Sequence, residues 1–407
     1  MDFNYGATAE AFRAEVRAWL GEHLVGAFAE LGAGAEFADA ADVRREWERE
    51  MGRGGWLGLA WPRQYGGRQV SLLEELVFNE EYVRARGPQR VGFFGEQLLG
   101  PTLMMFGTEA QRQRFLPRIL RAEDTWCQGF SEPGAGSDLA NVGTSAELDG
   151  DRWVVNGQKV WTSRAQYADW IFVLCRTAPA GRARHEGLSF LLVPMGQPGV
   201  EVRPLVDMTG DRHFCEVFFD GAITTADCVV GAPGDGWRVA MGTLGFERGT
   251  AFLARQLQYA EEYATLLAEA RRRGVTGDPD RRDRLAQSFV GLSLLRFAGY
   301  RTLTLLEKGE RPGATGSLGK LQWSQWHQRF GELAMDVLGT DALLEPGGHR
   351  ERELWHNFLF SRAHTIYAGS SQIQRNIIGE RILGLPREVG PGAGSRSPRS
   401  LDPRSTP

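Results

Sequence analysis

The sequence predicts an α+β multidomain chain in which two helical blocks flank a strand-rich insert. Apolar residues recur at helical spacing over 1–125, alternate over 126–232, and return to helical spacing over 233–388. The expected architecture is an N-terminal helical domain, a middle antiparallel β-barrel or sandwich, and a C-terminal four-helix-type bundle. Residues 389–407, rich in Gly, Pro, Ser and Arg, are expected to be a disordered tail.

In the first block "TAEAFRAEVRAWLGEHL" has one apolar face. "SLLEELVFNEEYVRA" opens with Ser71 and carries Glu74 three residues later, the pattern of a capping box. "GTEAQRQRFLPRIL" begins at a Thr108 cap and is expected to stop near Pro117. In the insert, "ELDGDRWVVNGQKVWTS" alternates, with turn signals at Asp149-Gly150 and Asn156-Gly157. The continuous runs "WIFVLC" and "LSFLLV" suit buried strands. In the last block, residues 236–274 read as one long amphipathic helix ending at Gly274. Two further long helices follow, then a short one from about Ser371 to Leu383.

Composition narrows the function. The chain has 407 residues, room for two or three domains with substantial cores. A formal charge of −4 leaves no basic footprint for nucleic acid. Lys occurs only at Lys159, Lys308 and Lys320, so covalent lysine chemistry has few candidates. The polar N-terminus lacks the apolar core of a signal peptide, and no apolar run approaches the roughly 20 residues that span a bilayer. A cytoplasmic protein without a membrane partner is expected. Cys127, Cys175, Cys215 and Cys228 form no CxxC pair, so they read as reduced, mostly buried thiols and not as metal ligands.

Three motifs carry the chemistry. "QGFSEPGAGSDLA" (128–140) has small residues that let the backbone approach a flat ligand, with Ser131 and Ser137 as hydroxyl donors. It lacks the spacing of a P-loop or a dinucleotide turn. "NGQKVWTS" (156–163) carries Trp161, an aromatic face, beside Thr162 and Ser163. "IYAGSSQIQRNIIGERILGLPR" adds a bare turn before a helix. Singly, each fits an ordinary turn or strand face equally well.

Together, in this order and spacing, and with "VRPLVDMTGDRHFCEVFFDGA" between them, they resemble the acyl-CoA dehydrogenase family over residues 1 to about 388. The resemblance implies FAD bound between the β domain and the C-terminal bundle, across a subunit interface. By position, Gln128, Ser131, Trp161, Thr162 and Ser163 would face the flavin. Ser137 would lie near the CoA phosphates. Ser370 and Gln372 would hold the ribityl and phosphate region, with Ser in place of the family's Thr. Arg273 falls where the family keeps an arginine for the pyrophosphate of a neighbouring subunit's FAD. Thr276 before Gly277 and "DVLGT" (336–340) depart from the family's pattern around that arginine and the adenine.

The implied reaction needs a base for the α-proton of a thioester, and a carboxylate raised by burial suits the task. Many members place a Glu just before the glycine of the "GSSQIQ" turn; here that position is Ala368. A second site is Glu247 in "TLGFERGTAF", followed by Arg248. On residues alone Glu247 reads first as an ion-pair partner of a nearby arginine. It matches the branch with its acid on this helix, similar to isovaleryl-CoA, long-chain and steroid side-chain acyl-CoA dehydrogenases. The resemblance then gives Glu247 as the base, Arg248 to CoA, and the Ala368 N–H to the thioester oxygen. Gly369 would allow close approach, and position 368 would leave room for a branched or bulky acyl group. The expected partners are an acyl-CoA, an electron-transfer flavoprotein and further subunits, as a homo-oligomer (dimer or tetramer) or a heteromer. Alternatives are a non-catalytic, half-site subunit of a heteromer, or a related flavin oxidase or carrier-protein dehydrogenase.

Overall fold

The computed structural model describes residues 5–32, 40–181, 183–246, 251–310, 313–344 and 346–387. The expected tail lies outside them. The chain opens with helices α1 (Gly6–His23), α2 (Ala27–Glu30), α3 (Ala41–Arg53) and α4 (Leu72–Arg84). A π-helical turn, Phe94–Leu99, leads into α5 (Gly100–Phe106) and α6 (Glu109–Leu120). Both N-terminal caps form. The Ser71 hydroxyl accepts from the Glu74 N–H at 3.2 Å, and Glu74 accepts from the Ser71 N–H at 2.7 Å. Thr108 and Gln111 repeat this exchange. α6 does not stop at Pro117 but carries it inside, ending at Leu120. Proline removes one backbone bond there, while burial of Phe115, Leu116 and Ile119 holds the last turn down.

Seven strands follow: β1 (Trp126–Gly129), β2 (Ser145–Asp149), β3 (Arg152–Ser163), β4 (Trp170–Arg176), β5 (Leu188–Pro194), β6 (Val200–Leu205) and β7 (Phe214–Thr225). They form one sheet in the order β1-β4-β2-β3-β7-β6, with β5 also paired to β4. The sheet is mixed, whereas the sequence reads as antiparallel throughout. β1 runs parallel to β4, because β2 and β3 intervene as a crossover and return the chain in the same direction. β4 and β5 are buried on both faces. Phe172, Leu174, Phe190 and Leu192 face the helices, and Ile171, Val173, Leu191 and Val193 face β3 and β7. That double burial produces their uninterrupted apolar runs.

Asp149-Gly150 does make the β2–β3 hairpin, with Gly150 left-handed at φ 60°. Asn156-Gly157 is not a turn. It lies within β3 opposite a bulge on β7, where Asn156 accepts from the Gly221 N–H at 2.8 Å. A Cβ on Gly157 would sit 2.7 Å from the Thr144 backbone, which is the reason for glycine.

The C-terminal block contains α7 (Gly236–Phe246), α8 (Ala251–Arg272), α9 (Pro279–Glu307), α10 (Thr315–Leu338), α11 (His349–His364) and α12 (Ser371–Arg381). α7 and α8 are the described parts of the expected single helix, and residues 247–250 between them are outside the described set. α8 closes on Gly274, left-handed at φ 72°. α11 has no counterpart in the sequence reading. Tyr259, Leu266, Leu295, Trp323, Trp326, Phe330 and Leu354 pack the bundle core.

One buried ion pair fixes the Gly-rich segment to the sheet. Lys159 is 0% exposed, and its Nζ donates to Glu132 Oε1 at 2.7 Å, to Leu174 O at 2.7 Å and to Phe130 O at 3.1 Å. Glu132 also accepts from the N–H groups of Gly143 and Thr144. Burial would raise the Glu132 pKa, but the Lys159 charge and these donors outweigh it and hold the carboxyl below its usual range. Lys159→Met strands that carboxylate, and urea unfolding should show a loss of about 3–5 kcal/mol. A carboxyl held low contributes stability above its unfolded pKa, and the contribution fades as pH falls through the folded value. Wild type should therefore lose stability on the acid side of about pH 4.3, and Lys159→Met should lose less there, because the Glu132 contribution is already gone.

Candidate active site

The β half of the site is built where β1 ends and β3 passes beneath the 131–138 segment. The Val160 N–H donates to Ser131 O at 2.9 Å, joining the two. Glu132 and Ala135 exchange both backbone hydrogen bonds, closing the turn. A Cβ on Gly134 or Gly136 would meet nothing within 4 Å, so these glycines border open space. Ser137 is exposed, beside an Asp138–Arg184 ion pair.

β3 then bulges. Lys159 pairs with Val217 and Thr162 with Cys215, so β3 carries one extra residue. Trp161 adopts φ 59° and turns outward, 60% exposed, with Phe214 edge-on at 5.8 Å. Bulges re-aim side chains in this way. Thr162, 1% exposed, turns inward, and Ser163 pairs with Phe214. Among the described residues, Thr162 Oγ1 and Gln128 Nε2 are buried and have no hydrogen-bond partner. Buried orphans of this kind call for an explanation, and a ligand with both donors and acceptors supplies one.

The helical half is the turn after α11. Ala368 has φ 51°, a strained conformation for a residue with a side chain, and it is exposed. Its N–H makes no hydrogen bond among the described residues. Gly369 follows at φ 87°, where a Cβ would lie 2.5 Å from Gln374 Nε2. Gln374, 0% exposed, donates to Ala368 O at 3.0 Å and to Gly369 O at 3.3 Å, holding the turn. Ser370 caps α12 by accepting from the Ile373 N–H. Gln372 is exposed, two residues before the glutamine that braces the turn.

The chain entering that turn is held by a buried polar series. Glu262 Oε2 meets His327 Nε2 at 2.7 Å, and His327 Nδ1 meets His364 Nδ1 at 2.9 Å. Lys320 Nζ donates to His364 O at 2.6 Å. Burial pushes His364 down to about 2, so it is neutral. These residues, with Glu132, Lys159 and Gln374, escaped the sequence reading. Their partners lie 27 to 65 residues away in the chain, apart from Gln374, whose signal is its place four residues past a Ser cap.

Glu247 and Arg248 lie outside the described residues. Arg273 is placed apart from the turn. It pairs with Glu269, Asp341 at 2.7 Å and Glu351 at 2.9 Å, and donates to Leu338 O at 3.0 Å. Glu351 is in the first turn of α11 and Ala368 follows its last, a separation of about 20 Å along the helix axis. Hydrogen bonds from Arg272 and Arg273 hold Glu269 at about 2. Asp336, the first residue of "DVLGT", pairs with Arg284 at 2.7 Å.

The acyl-CoA dehydrogenase N-terminal, middle and C-terminal domain families match residues 6–123, 127–222 and 234–383. The chain is 53% identical over 386 residues to acyl-CoA dehydrogenase IpdE1 of Mycobacterium tuberculosis, covering 93% of this chain and 98% of that one. The same-named protein of Mycolicibacterium smegmatis is 52% identical over 395 residues, with the same coverage. Among solved structures, the Tcur3481-Tcur3483 steroid ACAD superposes with a TM-score of 0.83 at 30% identity, covering 95% of this chain and 100% of that one. The ChsE4-ChsE5 complex of Mycobacterium tuberculosis gives 0.79 at 31%, with the same coverage. The orphaned Gln128 and Thr162 atoms and the open glycine turn fit the flavin on which this family depends. The chain belongs to the acyl-CoA dehydrogenase family.

Proposed function

We propose that the chain catalyses FAD-dependent α,β-dehydrogenation of a bulky, ring-bearing or branched acyl-CoA thioester to the trans-2-enoyl-CoA, with Glu247 as the base. The observation that carries this is the turn at 368. It keeps an exposed, unbonded N–H on a left-handed backbone while lacking a side-chain acid. A backbone donor pre-aimed at the thioester oxygen stabilises the enolate that develops there. The α-proton then needs a carboxylate from elsewhere, and Glu247 takes it.

Gln128, Ser131, Trp161, Thr162 and Ser163 hold and shield the isoalloxazine, and Ser370 and Gln372 the ribityl and phosphate region. Ser137 and Arg248 bind CoA. When bound, FAD supplies the acceptor for the hydride that leaves the β-carbon. Alanine at 368 leaves the volume of a carboxylate side chain to the substrate, and the likeness to a steroid ACAD supports a ring system there. An electron-transfer flavoprotein reoxidises the enzyme, in the cytoplasm.

Glu247→Gln tests the base. Turnover should fall at least roughly 10²–10⁴-fold while the flavin absorbance persists. Retention of near wild-type turnover would refute the assignment.

A second reading concerns assembly. Arg273 is engaged by three carboxylates of its own chain, and Asp336 by Arg284. Both positions reach a neighbour's cofactor in the family, and here they are taken up internally. This supports a heteromer whose partner does not ask this chain for a pyrophosphate ligand. Purified alone, the chain should then be colourless and inactive, and it should recover flavin and activity with its partner. A yellow, active homomer excludes this reading.

A further inference from the structure

Between the flavin wall and α11 lies a cluster of side chains that the proposed reaction does not use. Asp211 and His213 stand two residues apart in the loop before β7, and His356 faces them from the middle of α11. Asp211 Oδ2 meets His213 Nε2 at 2.9 Å and His356 Nε2 at 2.7 Å. The two rings stand nearly perpendicular, at 85°, and their donor atoms and the carboxylate oxygen all lie within 4.8 Å of one another.

The surroundings are those of a prepared site. The loop is closed on itself, since the Asp207 N–H donates to Asp211 O at 2.9 Å and the Asp211 N–H to Thr209 Oγ1 at 3.3 Å. Asp207 Oδ1 accepts from the Thr209 N–H at 2.8 Å, which fixes that carboxylate. Its other oxygen, Oδ2, is buried and has no hydrogen-bond partner among the described residues. Asp207 is thus tied to Asp211 through the backbone of the same loop. The His356 ring stacks on Phe360 one turn along α11, which holds its orientation. The three ligand side chains are 21–34% exposed, which leaves a route from solvent.

We propose that Asp211, His213 and His356 bind a first-row divalent transition metal, zinc by preference, with solvent in the fourth position. Tetrahedral zinc at about 2.0–2.2 Å from each donor asks for donors about 3.3 Å apart. The donors here, 2.7 and 2.9 Å from the carboxylate oxygen and all within 4.8 Å of one another, bracket that spacing. Two imidazoles with a carboxylate suit zinc, whereas magnesium and calcium select oxygen donors. The ion ties the loop that leads into Phe214, the residue packed on Trp161, to the helix that leads into the Ala368 turn. It would thus pin the two halves of the flavin site without touching substrate.

The test uses the full chain, with any co-purifying partner, stripped with chelator and dialysed. Zinc is then titrated calorimetrically, and bound metal is counted by plasma mass spectrometry. One zinc per chain is expected, undisturbed by excess magnesium, with a rise in Tm of at least about 2 °C at one hundred times Kd. Asp211→Asn and His356→Gln should each bind at least about 10-fold more weakly, and His185→Gln, on the exposed 180s loop, should match wild type. X-ray absorption of the wild-type zinc complex should show two imidazoles and oxygen neighbours, a readout that does not depend on either variant folding. Uptake below a tenth of an equivalent, undiminished binding by both variants, or a shell containing sulfur or lacking imidazole would overturn the proposal.

Discussion

The Lys159 ammonium is the constraint on which the β half of the site rests. It is sealed from solvent, and it reaches one carboxylate and two carbonyls drawn from two separate segments. A buried cation survives only when partners surround it. The sheet and the Gly-rich segment must therefore adopt the one relative position that supplies them. That position brings Ser131 against Val160 and leaves Gly134 and Gly136 facing open space. The bare turn needs no side chains of its own to be held, because Glu132 is anchored from below.

The helical half follows the same logic with different chemistry. Glu262, His327 and His364 form a hydrogen-bonded series through an aromatic core of Tyr259, Trp323, Trp326 and Phe330. Gln374 then finishes the turn by bonding two successive carbonyls. The left-handed alanine at 368 is thus imposed by its surroundings and not chosen by the residue. The shape of the turn is set by Gln374 and the buried series behind it, which is how small residues can hold a fixed backbone there.

Much of this was readable in the amino-acid order, and the failures have physical causes. Capping boxes at Ser71 and Thr108, the hairpin at Asp149-Gly150 and the twice-buried strands β4 and β5 depend on local pattern and were legible. The parallel β1–β4 pairing was not, because strand direction is decided by a partner some 44 residues on. α11 was missed because it is held by His356, Ser361 and His364 as much as by Leu354, so an apolar stripe never develops. The motifs fall on the kinked strand β3 and on the Ala368 turn. They could not separate Gln372 from Gln374, since only the helical phase set by the Ser370 cap decides which one folds back. Nor could spacing alone reveal that Arg273 is already satisfied by acids of its own chain.

The extra residue in β3 has a further consequence. Upstream of it, odd-numbered positions point inward, as Trp153, Val155 and Lys159 do; downstream, the parity inverts and Thr162 is the inward residue. A single strand therefore does two things, clamping the scaffold before the kink and presenting Trp161 outward after it. Side chains along the second stretch can change without disturbing the clamp. Losing one residue at the kink would instead swap the indole and the hydroxyl between solvent and interior, so the strand tolerates a changed side chain there far better than a deletion.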